Sequence, residues 1–411
     1  MPHHAPNRTL IILILGSLAT ISPLAIDMYL PAFPGIAEAL HTSTAKVSLS
    51  ISSYFAGLAA GQLLYGPLLD RFGRKAPLNV GLVLFIGASL LCLRSQSIEW
   101  LVTMRFIQAL GGCSAAVASM AMVRDFFEAH ETARIISLMI LILGVSPLLA
   151  PTIGGFLSVH FGWRSVFLAL AGIAVFNIVL CYFYLPEGHQ PDPSVSLRLG
   201  PMTRNFVEVL KEPQFVTYSV AGAFAFSGLL VYVAGAPILF LEIFHVNERT
   251  FGLIFAGLAT GFIGSNQVNV WLLKKFTSEQ IFLGTLLVAG PTSLFFLGAT
   301  LFGGLGLPAT LVVLFVALSS IGLACPNASA LAICPFDHNI GSAAAMLGFV
   351  QIGVSGLSSA AIGVFDSHSI LPLALIMAAT TCLALGILLV GKRWIPEARY
   401  VEEKGVTPLA H

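Results

Sequence analysis

Apolar residues fall in twelve long runs, at roughly 10–30, 45–69, 78–96, 99–122, 134–158 and 164–185, then 215–241, 249–272, 280–300, 307–331, 341–363 and 370–390. Charges or Gly and Pro clusters separate them, and each is close to the about 20 residues a helix needs to cross a bilayer. The pattern predicts an all-α membrane protein of twelve transmembrane helices. Residues 186–214 form the longest polar stretch, rich in Pro and charge, and predict a linker. The expected division is a six-helix bundle over 1–185, the linker over 186–214, a second bundle over 215–393 and a tail over 394–411.

The halves resemble each other. Residues 55–61 read FAGLAAG and 255–261 read FAGLATG, in the second and eighth runs. Residues 144–154 read GVSPLLAPTIG and 353–363 read GVSGLSSAAIG, in the fifth and eleventh. Two matches in the same order at similar offsets indicate an internal repeat. Six helices separate the members of each pair, so both copies have one orientation in the membrane. This arrangement resembles the parallel two-bundle plan of major facilitator transporters, with a substrate cavity between the repeats.

Composition agrees with a membrane protein: 57 % of the 411 residues are hydrophobic and 9 % charged, with a mean hydropathy of +0.91, whereas soluble domains carry about 25 % charged residues. The 20 Lys and Arg nearly balance the 19 Asp and Glu, so no basic surface for nucleic acid is expected. Placing both termini in the cytoplasm leaves only Lys46, Arg94, Arg164 and Arg249 in outer loops and puts the other loop cations inside, as the positive-inside rule requires. The first run continues into AIDMYLPAFP without a cleavage site and is expected to be retained. His3 and His4, at the terminus, carry no metal assignment. The six cysteines form no C-x-x-C pair and read as small hydrophobes.

Residues 66–75 read GPLLDRFGRK and resemble the major facilitator signature between helices two and three, G-x-L-x-D-R-x-G-R-K. So short a connection needs the backbone freedom of Gly73. Asp70 is expected to face a helix N-terminus, and Arg71 and Arg74 to tie to acids or lipid phosphates. With Gly66 they read as a latch between the bundles, or simply as positive-inside charges. The equivalent segment of the second half is degenerate, with Val270 in the place of Asp70.

Ionisable residues inside a bilayer cost about 2.5–3.5 kcal/mol each on insertion scales and need a reason. Only Asp27 and Arg105 sit well inside the predicted spans, both about 6 to 9 Å from the outer face at the helical rise of 1.5 Å per residue. They are therefore expected to be able to meet. Desolvation favours a neutral carboxyl and a nearby guanidinium a charged one, so movement between two conformations could load and unload a proton at Asp27. The alternatives are a static buried ion pair and an Asp27 placed in headgroup water.

Asp27 opens DMYLPAFP, and D-M-Y-L-P-x-x-P resembles the Bcr/CflA group of drug:proton antiporters. RFIQ at 105–108 with Gly111 and Gly112, VRDF at 123–126, ETAR at 131–134 and GWRSVF at 162–167 extend the resemblance. The antiporter motif of helix five, G-x-x-x-G-P-x-x-G-G, is matched by Gly144, Pro147, Pro151, Gly154 and Gly155, with Ala150 in place of its second glycine. Pro147 and Pro151 remove backbone donors, and the Gly pair is expected to allow close packing across the bundles. The second half shows no intramembrane acid or base. Tyr29, Tyr54, Gln62, Gln108, Tyr232 and Asn266 are candidate cavity residues, with helix-to-helix hydrogen bonding as the alternative role.

No Walker loop, G-x-S-x-G elbow or H-E-x-x-H helix appears, so no cofactor, metal or enzymatic site is expected and the energy must come from a gradient. The resemblance implies a monomeric inner-membrane carrier that exchanges amphipathic small molecules for protons, with the bilayer as its other partner. A narrow siderophore or metabolite exporter and a proton symporter for uptake are the alternatives. A membrane enzyme would need a buried cluster of acids or histidines, and a channel would show no exchange.

Overall fold

The computed structural model describes residues 8–127, 129–188, 191–192, 199–336, 340–365 and 369–395. His3, His4, much of the linker and the tail beyond residue 395 lie outside the described residues. Within α6 and α8 the side chains of residues 129–130, 132–134, 136–137, 140–141 and 199–204 do too.

Among the described residues twelve helices are long and apolar enough to cross a membrane. In the first half they are α1 (Arg8–Asp27), α3 (Thr44–Phe72), α4 (Lys75–Leu93), α5 (Ile98–Phe126), α6 (Ala129–Phe161) and α7 (Arg164–Tyr184), with a short α2 (Phe33–Ala39) prolonging α1. The second half has α9 (Pro213–Pro237), α10 (Glu248–Leu272), α11 (Ser278–Leu301), α12 (Leu307–Ile333), α13 (Ile340–Val364) and α14 (Leu371–Gly391). Local chemistry sets the starts: Ser43, Ser97, Asn247 and Thr277 each accept a backbone N–H of the first turn. At the α3–α4 corner Gly73 takes φ +80°, a conformation that favours glycine.

Packing follows the repeat. In the first half α1 packs on α5, α6 and α7, α3 on α5, and α4 on α5 and α7; in the second, α9 packs on α12, α13 and α14, α10 on α12, and α11 on α12 and α14. Each pair in one list has its counterpart in the other. The bundles meet along two seams, α3 with α13 and α6 with α10, which the same repeat interchanges. A third match appears at the corners: His41 and His245, 204 residues apart, both take φ near +50°, and Ser43 and Asn247, two residues on, cap the next helix.

The first span of each half is broken. After Asp27 the chain turns through a 3₁₀ segment (Leu30–Ala32) into α2, where Pro31 and Pro34 cannot donate backbone hydrogen bonds. In the second half, α9 passes at Pro237 into a π-helical turn (Ile238–Ile243), with Phe244 N donating to Leu239 O at 3.1 Å. The stretch read as a linker has structure of its own. It contains α8 (Leu199–Leu210), which rests on α9 and α13 and buries Val209.

Candidate functional site

Arg105, on α5, is fully buried. Its Nη1 donates to Gln108 Oε1 at 2.6 Å and its Nη2 to the Ala25 carbonyl at 3.0 Å. The rings of Tyr29, Tyr54 and Phe167 surround the guanidinium carbon at 4.5, 4.3 and 6.0 Å, an aromatic cage that stabilises a desolvated cation. Gln108 continues the network to Ser89 at 2.7 Å, and Tyr29 shares a 2.8 Å hydrogen bond with Ser50. Tyr29, Tyr54 and Gln108 therefore enclose Arg105 in this conformation, where open cavity walls were expected.

Asp27 does not join this cage. The residue is 5 % exposed, and among the described residues no hydrogen bond or ion pair reaches its carboxyl. The expected meeting with Arg105 fails because the guanidinium is taken by Gln108 and the Ala25 carbonyl, and Asp27, two residues on from Ala25 in α1, stands on another face of that helix. Asp27 instead lies within electrostatic range of Tyr232 of α9, in the other bundle. Tyr232 is buried, stacks on Phe255 at 5.7 Å, and its hydroxyl has no partner among the described residues. Asp27 thus sits at a broken helix where the two bundles face each other. The half-buried Gln62 lies against Gly348 across the seam, and the half-buried Asn266 donates to Phe262 O at 2.9 Å, so these residues do not gather at one point.

At the end carrying residues 66–75, Arg74 binds Asp70 at 2.7 Å and Asp125 of α5 at 2.8 Å. Burial alone would lower the pKa of this guanidinium, but the hydrogen bonds and charges of Asp125 and Asp70 hold it above its ordinary value. The anion at the N-terminus of α4 is Glu187, which accepts from the backbone N–H groups of Arg74 and Lys75. Asp70, expected in that position, is occupied with Arg74. Arg71 lies over the Phe72 ring at 5.8 Å, and Gly66 has open space where a Cβ would stand. Arg8 with Glu131 and Lys392 with Glu279 also pair at this end, each within one bundle.

At the opposite end the bundles are joined. Glu242, on the π-helical turn, accepts a hydrogen bond from Thr44 at the start of α3, and Ser52 and Ser359 share one at 2.9 Å further in. A Cβ on Gly155 would stand 3.4 Å from Glu248 across the α6–α10 seam, and one on Gly144 3.5 Å from Ile263. Gly154, expected to pack across the bundles, faces the Met28 carbonyl in its own bundle.

Sequence reasoning assigned no role to Glu242, Asp125 or Glu187. Glu242 falls one residue beyond the predicted run and stands next to the last residue of the seventh span (Pro213–Ile243). Replacing it with alanine removes a charge-assisted hydrogen bond worth about 1.5–3 kcal/mol. Because Glu242 is half-buried, the low end applies, and separation of the bundles at this end should become about tenfold more frequent. Labelling of a cysteine placed at Ser52, in a chain stripped of its native cysteines, with an impermeant maleimide measures this. An unchanged rate would show that the bond does not hold the bundles together.

A model of the Major Facilitator Superfamily matches residues 15–363. The chain is 32 % identical over 381 residues to the MFS-type transporter YdgK of Bacillus subtilis, covering 91 % of this chain and 93 % of that protein. It is 29 % identical over 378 residues to the bicyclomycin resistance protein homolog of Haemophilus influenzae, with coverages of 92 % and 94 %. Against the multidrug resistance protein MdtL of Escherichia coli the values are 30 % over 350 residues, 83 % and 85 %. Among solved structures, a D-xylose-proton symporter superposes with a TM-score of 0.73 at 16 % identity, over 95 % of this chain and 98 % of that one, a likeness of fold.

Proposed function

Because the chain belongs to the Major Facilitator Superfamily and is a transporter, not an enzyme, we propose that it exports amphipathic small molecules from the bacterial cytoplasm in exchange for protons. The observation that carries this reading is Asp27, an acid buried without a hydrogen-bond or ion-pair partner among the described residues, at a helix break where the bundles face each other. A carboxyl so placed can take a proton from one side and release it to the other when the bundles rock. Arg105, caged nearby in the same bundle, supplies a fixed positive charge that favours release. Bicyclomycin and multidrug resistance in the names of relatives support the direction and the class of cargo.

In this reading the end bearing Arg71, Arg74 and Lys75 is cytoplasmic, as are both termini, because cations concentrate on that side. The end closed by Glu242 and Thr44 is then the outer gate, and the inner membrane is the location. The Arg74–Asp70–Asp125 cluster, closed within the first bundle, is a latch that engages the second bundle when the inner side shuts. The protein works as a monomer.

Expression in pump-deficient bacteria tests the reading. The wild-type chain should lower accumulation of several fluorescent or antibiotic compounds severalfold, and a protonophore should erase the difference. Lowered accumulation that survives the protonophore would remove proton coupling. Accumulation raised by expression would make the chain an importer.

A further inference from the structure

At the outer end of the α6–α10 seam lies a cleft of about 480 Å³. Thr152, Phe156 and His160 border it from the first bundle, and Asn247, Glu248 and Arg249 from the second. Phe156 and its neighbour Val159 are 56 % and 60 % exposed on the face that lipid covers. The polar groups stand at the rim. Glu248 and Arg249 make no ion pair among the described residues, and as consecutive helical residues they do not face each other. Two charges of opposite sign thus stand at the rim without an ion-pair partner among the described residues, Glu248 half-buried at the start of α10 and Arg249 exposed.

His160 sharpens the chemistry. Its Nδ1 donates to the Phe156 carbonyl at 3.0 Å, which puts the proton on Nδ1 and leaves Nε2 of the neutral ring as an acceptor. The ring also stacks on Phe156 with centroids 4.4 Å apart. The cleft therefore offers two acceptors for N–H donors, Glu248 and His160, an aromatic face, and a guanidinium beside them. Its charge complementarity is to an ammonium and a phosphate held a few ångströms apart on an acyl-bearing molecule. We propose that the cleft seats the headgroup of a phosphatidylethanolamine from the outer leaflet, its ammonium toward Glu248 and His160 and its phosphate toward Arg249. A choline headgroup has the same charges but no N–H to donate. Because the walls belong to different bundles, a bound headgroup favours the state in which the outer end is closed. This last consequence rests on the alternating-access reading, whereas the headgroup selectivity does not.

The test uses the full chain purified in mild detergent and mixed with equal amounts of dioleoyl phosphatidylethanolamine and dioleoyl phosphatidylcholine. Native mass spectrometry should find the ethanolamine lipid retained about fivefold over the choline lipid. Glu248→Gln should bring the ratio near one while choline adducts persist, which also reports a folded protein, and Arg249→Gln should lower both. Equal retention by wild type, or a preference that survives Glu248→Gln, would overturn the proposal. So would protection of the cleft by tetraphenylphosphonium without any lipid preference, which would make it a site for drug-like cations. In nanodiscs of ethanolamine and glycerol lipids at 7:3, maleimide labelling at a Ser52→Cys position should run about fivefold slower than in choline and glycerol lipids at 7:3, and Glu248→Gln should remove the difference. Equal rates for wild type would overturn the bridging of the bundles. Transport enters none of these readings, so a chain that pumps no compound leaves the lipid site standing.

Discussion

Asp27→Asn should abolish concentrative efflux while leaving the protein folded and able to bind its compounds. Asparagine keeps the size of the side chain and removes its capacity to carry a proton. No hydrogen bond or ion pair among the described residues depends on the carboxylate, so the substitution takes nothing from the packing. A proton falling through 100 mV supplies about 2.3 kcal/mol, enough for a roughly 50-fold gradient of a neutral solute. Without proton exchange that gradient should fall to about one. Exchange of labelled for unlabelled compound across proteoliposome membranes should continue, because it needs alternating access but no net driving force. Accumulation in pump-deficient cells and counterflow in proteoliposomes separate the two effects. A variant that pumps like wild type would strip Asp27 of its role. One that loses both efflux and counterflow would make Asp27 part of the binding site or the gate.

The spans were legible because bilayer thickness fixes both the length and the composition of a crossing helix. The predicted runs and the observed helices differ by a few residues, mostly at the ends. The repeat was legible in its small-residue segments, and the structure adds the corner pair His41 and His245. What the sequence could not supply was azimuth. Asp27 and Arg105 share a depth, but depth does not say which way a side chain points: Asp27 is two residues on from Ala25, whose carbonyl Arg105 binds, and so faces another way, at the break that ends α1. The signal for that break was present in Pro31 and Pro34. Glu187 was invisible for a different reason: a loop residue that folds back on a helix start is set by tertiary packing alone. The helix α8 did leave a trace, since Phe206, Val209 and Leu210 stand at helical spacing within the polar linker.

Gly154→Ala should be the most damaging change of a single methyl group in the chain's first half. Alanine is the better helix former by about 1 kcal/mol, so propensity alone predicts a gain. Packing opposes it. A Cβ at Gly154 would overlap the carbonyl of Met28, backbone at the break of the first span, where no side chain can rotate out of the way. The α1 break and α6 would have to part, and overpacking of this kind costs about 1–3 kcal/mol or more. Met28 follows Asp27 directly, so the displacement moves the acid from its place between the bundles, and efflux should fall with stability. Gly172→Ala in α7, where nothing lies within 4 Å, is the matched control and should be neutral or stabilising. Thermal unfolding of the two purified variants, read beside drug accumulation in cells, checks both effects. If Gly154→Ala unfolds and pumps like Gly172→Ala, the break of helix one does not rest on α6, and the position of Asp27 must be fixed by its contacts with the second bundle instead.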